Sequence, residues 1–231
     1  MVFVFYRNFV AKILTMDKSE VRKKIDEKVL KDGSKLPLVE NFYTIQGEGY
    51  HTGKPAYFIR IGGCDIGCHF CDTKMSWDPS IHPLVDLKTI VANAMKTPAH
   101  AIVVTGGEPT NYNLGPLSCM LREHGIKLFL ETAGTESLTG EWDWICLSPK
   151  RQSPPLEEFY DRADELKVII MDDEDFPWAE ETASKMGDNT KLFLQSEWSR
   201  YEENISKIVD YVKNNPKWSI SLQAHKFMHI P

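Results

Sequence analysis

Three of the chain's five cysteines stand within the stretch GGCDIGCHFCDT (62–73): Cys64, Cys68 and Cys71, spaced C-x3-C-x2-C. Thiols this close together, in a chain with an odd cysteine count, read as metal ligands in a reducing compartment rather than as a disulfide framework. A structural zinc site closes on four ligands. His69 would then have to join the three, and between two ligands it is poorly set to point at the same ion. An electron-transfer cluster also recruits four cysteines. The other two, Cys119 and Cys146, fall in a helical pattern and an apolar strand, where they read as buried, inert core thiols. A third reading uses the deficit. Three thiolates holding a 4Fe-4S cube leave one iron without a protein ligand, and an open coordination position is the mark of a catalytic metal. Such an iron can chelate the amino and carboxylate groups of a methionine-like ligand.

The thiols follow YFIRI (57–61), the first of a series of short β-branched or aromatic runs. The others are AIVV (101–104), KLFLE (127–131), WICLS (144–148), LKVII (166–170), KLFLQ (191–195) and WSISLQ (218–223). Amphipathic stretches at 84–96, 114–124, 176–187 and 201–214 separate several of them. Apolar strands joined by helices make a parallel sheet with right-handed crossovers. The class is therefore α/β, either doubly wound or a partial (β/α) barrel of about six parallel strands. Polar residues gather just past the strands: Thr105-Gly106-Gly107-Glu108, Glu131-Thr132, Ser148-Pro149-Lys150, Gln195, and Gln223 with His225. In parallel β/α folds the carboxyl ends of the strands form the active-site rim. The cysteine loop belongs to that rim.

With Phe70 ahead of the last cysteine, the spacing resembles the signature of the radical S-adenosylmethionine superfamily. That superfamily uses the reduced cluster to cleave the sulfonium and release a 5′-deoxyadenosyl radical. TGGEP (105–109) after the AIVV strand matches the superfamily's GGEP-like stretch; its glycines admit close backbone approach, and with Glu108 beside them they suit the amino group of S-adenosylmethionine. FYTIQGEGYHTGKPAYFIRIGGCDIGCHFCDT, and then VVTGGEP, ETAGT, LSPK, LFLQ and SLQAHKFMHIP, are similar to the 7-carboxy-7-deazaguanine synthase family of queuosine biosynthesis. The resemblance runs from about Val39 to Pro231. It implies a carbon–nitrogen lyase that converts 6-carboxy-5,6,7,8-tetrahydropterin to 7-carboxy-7-deazaguanine with loss of ammonia. It also implies a 4Fe-4S cluster, S-adenosylmethionine, Mg2+, an electron donor such as flavodoxin or ferredoxin, and a homodimer.

Carried over by position, the resemblance assigns the cluster to Cys64, Cys68 and Cys71. S-adenosylmethionine falls to Phe70, Cys71, Asp72, Gly107, Ser148, Pro149, Lys150 and Gln195. The pterin falls to Ile45, Gln46, Gly47, Glu48, Arg60, Thr105 and Pro231. These types suit the chemistry: a pyrimidine edge offers donors to a carboxylate and to backbone carbonyls, and an arginine fork grips a carboxylate bidentately. An arginine on an apolar strand needs a partner in any case, so a structural ion pair is the plainer reading of Arg60. Thr73 resembles a magnesium ligand, with Asp72 the rival, since magnesium usually takes carboxylates. The carboxylate of Pro231 is expected to fold back onto the pterin. Lys167 and His225 carry no assigned role.

The bulk properties agree with a small enzyme. The 231 residues carry a formal net charge of −6 and a pI near 5.7, and no basic-aromatic stripe appears, which leaves nucleic-acid binding without support. The opening MVFVFYRNFVAKILT is broken by Arg7 and Lys12, so neither a signal peptide nor a membrane span is expected, and a cytoplasmic location is. The charge-rich stretch from Met16 to Gly33 reads as a helix, and Met16 is a plausible start. The expected division is an extension over 1–38, possibly helical or partly disordered, and a catalytic domain over 39–231. Two rivals stay open: a small radical enzyme acting on another heterocycle, and a non-catalytic zinc or electron-transfer module.

Overall fold

In the computed structural model of the chain, residues 32–231 are described; the helix expected over 16–33 and most of the 1–38 extension lie outside them. The strands are β1 (Lys35–Ile45), β2 (Pro55–Ile61), β3 (Leu84–Asp86), β4 (Ala101–Gly106), β5 (Lys127–Thr132), β6 (Trp144–Leu147), β7 (Glu165–Ile170), β8 (Lys191–Ser196) and β9 (Trp218–Ser221). They form one sheet in the order β3-β1-β2-β4-β5-β6-β7-β8-β9. From β2 to β9 all pairings are parallel, so seven parallel strands stand where about six were expected. The sheet ends at β9 without returning to β2, which makes it an open, partial barrel. Strand β1, which periodicity missed, pairs antiparallel with β2 and β3. It begins at Lys35, across the expected boundary at 38/39, because Leu36 is fully buried in the core.

The helices are α1 (Leu87–Ala94), α2 (Gly115–Arg122), α3 (Glu158–Arg162), α4 (Asp175–Ala183), α5 (Tyr201–Asn214) and α6 (Ala224–Met228). Those between parallel strands cover one face of the sheet, where Ile59, Ile61, Ile102, Val104, Leu128, Leu130, Val168 and Leu194 pack against Ile90, Leu117 and Ile208. Strand side chains alternate faces, so the intervening positions point to the concave side. At the amino ends these are apolar: Ala56, Phe58 and Val103 pack with Phe42 and Phe129. Further along the same face come Arg60, Thr105, Glu131, Lys167 and Gln195. The sheet thus has a dry face towards the helices and a concave face that turns polar towards the carboxyl ends.

Cys146 is buried as expected, but Cys119 is exposed, on the solvent side of α2. The helical period that marks 114–124 does not say which face Cys119 takes; Leu117 and Leu121 take the inner one.

Strand β4 ends in Gly106, whose amide-rich neighbourhood touches the base of the cysteine loop: Gly107 N–H donates to the Ile61 carbonyl (2.8 Å) and Glu108 N–H to that of Gly63 (2.8 Å). Gly106 has φ 146°, a conformation that L side chains rarely adopt, and a Cβ there would overlap the Ile61 carbonyl oxygen. Gly106→Ala is therefore expected to destabilise the chain by about 2 kcal/mol or more, read as a lowered denaturation midpoint.

Candidate active site

The loop after β2 carries the thiols over the carboxyl ends of the strands. Gly63 N–H donates to the Ser76 carbonyl (2.6 Å), Cys64 N–H to Trp77 (3.1 Å) and Cys71 N–H to Cys68 (3.0 Å), so the loop is tied down by its own backbone. All three cysteines line one cleft enclosing about 960 Å3, mouth included. Cys64 and Cys68 are buried, and burial pushes the Cys64 thiol up to about 12 and raises Cys68 as well. Neutral thiols at such sites lose their protons when a metal binds. Among the described residues no three His, Cys, Asp or Glu side chains converge as a single ion would need. A polynuclear cluster, which takes each thiolate on a different iron, fits three cysteines placed on one short loop.

Phe70, Asp72, Gly107, Ser148, Lys150 and Gln195 line the same cleft. Pro149 is buried and is not part of its lining. Lys150 donates to the Ser148 hydroxyl (2.9 Å), and burial depresses its ammonium against the opposing pull of Cys68. Gln195 accepts from Ser221 (2.6 Å). Glu108, expected at the amino group of S-adenosylmethionine, also lines this cleft, and its carboxylate accepts from Thr110 N–H (3.0 Å), Thr110 Oγ1 (2.8 Å), Ala133 N–H (2.7 Å) and Thr132 Oγ1. Burial raises this carboxyl against those four donors. It thereby also ties β4 to β5.

A second cavity adjoins the first, with Glu48, Asp72, Thr105, Gly106 and Glu131 lining both. Ile45, Gln46, Gly47, Arg60, Thr73 and Pro231 also line it, with Phe42, Phe58 and His225, so every residue expected at the pterin faces one space. The turn after β1 holds its shape because Gln46 N–H donates to Lys54 (2.8 Å) and Gly53 N–H to Gln46 (2.8 Å). Gly47 must lack a side chain, since a Cβ would collide with the imidazole of His225. Arg60 donates through Nε to Glu40 (2.8 Å), the residue opposite it on β1. The structural ion pair is real, and the side chain still reaches the cavity.

Three side chains with no assigned role knit the two cavities together. Glu131 accepts from Gln46 Nε2 (2.9 Å) and Thr105 Oγ1 (3.2 Å). Lys167, buried, forms an ion pair with Glu48. Gln223 donates to Glu48 (3.0 Å) and to Asp72 (3.1 Å), and Lys226 also reaches Asp72 (3.0 Å). Burial alone would raise the Glu48 carboxyl; the Lys167 ammonium more than offsets this and holds it near 2. Alternation along the strands finds two of them: Glu131 and Lys167 lie two residues beyond inward-facing positions of β5 and β7, as Gln195 does on β8.

An open parallel sheet, a three-thiol loop at its rim, and a glycine strand-end beneath it define a radical S-adenosylmethionine fold, a class that works with a 4Fe-4S cluster and S-adenosylmethionine. The Radical SAM superfamily model matches residues 58–147. The chain is 56% identical over 199 residues to 7-carboxy-7-deazaguanine synthase of Flavobacterium psychrophilum, covering 86% of this chain and 94% of that one. The Synechocystis enzyme of the same name is 44% identical, over 84% and 93%. The crystal structure of QueE from Escherichia coli superposes with a TM-score of 0.74 at 28% identity, over 87% of this chain and 99% of that one. The chain belongs to the 7-carboxy-7-deazaguanine synthase family.

Removing one partner of a buried ion pair leaves the other uncompensated. Lys167→Met is expected to cost about 3–5 kcal/mol, and adding Glu48→Gln should recover part of it in denaturant unfolding. Because the folded Glu48 carboxyl titrates low, its stabilisation is present above its ordinary 4.5 and is lost as pH falls towards about 2. The stability gap between the wild type and Glu48→Gln should therefore close over that acid range.

Proposed function

We propose that this chain converts 6-carboxy-5,6,7,8-tetrahydropterin to 7-carboxy-7-deazaguanine, releasing ammonia, within queuosine and 7-deazapurine biosynthesis. The observation that carries the reading is the shared wall: a thiol-lined cleft opens directly onto a second pocket rich in carboxylates and containing an arginine. A pterin presents an amide, an amino group and a carboxylate, and each has a counterpart there.

Cys64, Cys68 and Cys71 hold the cluster in this reading. Phe70, Asp72, Gly107, Ser148, Lys150 and Gln195 surround S-adenosylmethionine, with Pro149 fixing the turn between two of them. When bound and reduced, the pair supplies the radical that removes hydrogen from the carbon bearing the carboxylate. The protein's own work is to bind and orient. Glu48 accepts from the pyrimidine edge, and Lys167 keeps it ionised. Ile45, Gln46 and Gly47 supply the floor, Thr105 a hydroxyl, and Pro231 its carboxylate at the margin, where an oxygen of Pro231 already accepts from Thr44 Oγ1 (3.4 Å). Glu40 takes Nε of Arg60, and Arg60 lines the pocket, where its two Nη atoms are the fork for the substrate carboxylate.

Thr73 takes Mg2+ together with that carboxylate and water. Asp72 is already committed to Gln223 and Lys226, which supports the hydroxyl over the neighbouring acid. Electrons come from a one-electron carrier such as flavodoxin or ferredoxin, and the working form is a cytoplasmic homodimer. Among the described residues no helix is long and apolar enough to cross a membrane.

The test is an anaerobic assay of reconstituted protein with dithionite, S-adenosylmethionine, Mg2+ and the carboxytetrahydropterin, followed by mass spectrometry. The deazaguanine product should form, and Cys68→Ala should abolish it. 5′-Deoxyadenosine without that product would refute the substrate. Arg60→Lys, which keeps the charge and loses the fork, should raise KM about tenfold or more. Thr73→Ala should raise the Mg2+ concentration for half-maximal rate roughly tenfold, and an unchanged requirement would remove Thr73 as a ligand.

A further inference from the structure

Each thiol of the loop has a hydrogen-bond donor near its sulfur. Cys64 takes the backbone N–H of Ile66. Cys71 lies 3.6 Å from the Thr73 hydroxyl. Cys68 receives Nε2 of Gln152 at 3.4 Å, across a sequence separation of 84 residues. A thiolate only accepts, so the amide must turn its NH2 towards the sulfur.

Gln152 differs from the other two donors in where it stands. It belongs to the turn after β6, closed by the Lys150–Ser153 bridge and by Ser153 N–H donating to Lys150 (3.0 Å). Ser153 is buried, and Pro154 and Pro155 follow it, which restricts the backbone that carries Gln152. Lys150 from the same turn lines the cleft. Gln152 does not; it is exposed and meets Cys68 from outside. A side chain so placed touches the sulfur without touching the space for S-adenosylmethionine.

We propose that Gln152 is a positioning residue that sets the reduction potential of the cluster through its hydrogen bond to Cys68. The proposal rests on Cys64, Cys68 and Cys71 holding a cluster. Reduction adds an electron and so adds negative charge to the thiolate-bound irons. A donor aimed at a ligating sulfur stabilises that added charge and raises the potential, as do hydrogen bonds to cluster sulfurs generally. Ligand-directed donors of this kind decide how readily a physiological reductant can supply the electron. No atoms are transferred and no further reactant is required.

The experiment is a redox titration of the reconstituted full chain without S-adenosylmethionine, following the reduced cluster by electron paramagnetic resonance. Gln152→Leu removes the donor, and Gln152→Glu removes it at nearly constant shape while adding negative charge. Gln152→Leu should shift the reduction equilibrium about tenfold towards the oxidised form, which for one electron is about 59 mV more negative. Gln152→Glu should move it further the same way. Iron and sulfide content and S-adenosylmethionine affinity should match the wild type in both. A potential for either variant equal to or above that of the wild type overturns the proposal. A wild-type protein that takes up no iron and sulfide overturns the cluster reading beneath it, and the two failures are told apart by that analysis.

Discussion

The Lys167–Glu48 ion pair is the interaction on which the rest of the site depends. Two charges leave water only if each finds the other and further partners, because the desolvation cost of a lone buried ion runs to several kcal/mol. Glu48 comes from the turn after β1, Lys167 from the middle of β7, and Gln223 adds a second hydrogen bond to the carboxylate from beyond β9. The pair therefore draws the turn, the sheet and the segment beyond β9 to a single point. A hydrophobic pair of similar volume would hold these elements as well, but it would offer nothing to a polar heterocycle. The charge is retained where a ligand can use it.

The concave face has two layers. Phe42, Phe58, Val103 and Phe129 close the amino end and keep water from passing through. Above them Arg60, Thr105, Glu131, Lys167 and Gln195 form a polar layer whose members are each already engaged: Thr105 and Gln46 on Glu131, Ser221 on Gln195, Glu40 on Arg60, Glu48 on Lys167. Side chains held in this way enter a ligand complex with little rotamer entropy left to lose. Glu108 shows the same economy in the scaffold, spending its carboxylate on four donors so that the glycine strand-end stays in place under the thiols.

Much of this was legible in the residues. The seven apolar runs became the seven parallel strands to within a few positions, because buried parallel strands are apolar on both faces and stand out in any window. The thiol spacing and the TGGEP turn located one cavity, and TIQGEG with Arg60 located the other. What escaped depends on register. Glu40 opposes Arg60 only through antiparallel pairing across a β1 irregularity between Leu38 and Glu40. Glu131, near the end of β5, and Lys167, within β7, look like ordinary charged residues until alternation places both on the concave face. Cys119 looks like core until the helix chooses its inner face.

The open side of the sheet has a consequence for how the molecule comes into being. The gap between β9 and β2 is filled by the 46–53 turn meeting the segment from Gln223 onward, with Ala224 N–H donating to the Gly47 carbonyl (2.9 Å). Gln223 touches Asp72 across 151 residues and Glu48 across 175. Chains emerge amino end first, so the cysteine loop is synthesised long before the residues that wall it in. During that interval the thiols face the cell's metals and oxidants with half their enclosure missing. Contacts so distant in sequence also form late. Cluster insertion and the shelter it needs are thus separated in time, and a nascent chain of this kind depends on reducing surroundings, or on a delivery partner, until its last strand is in place.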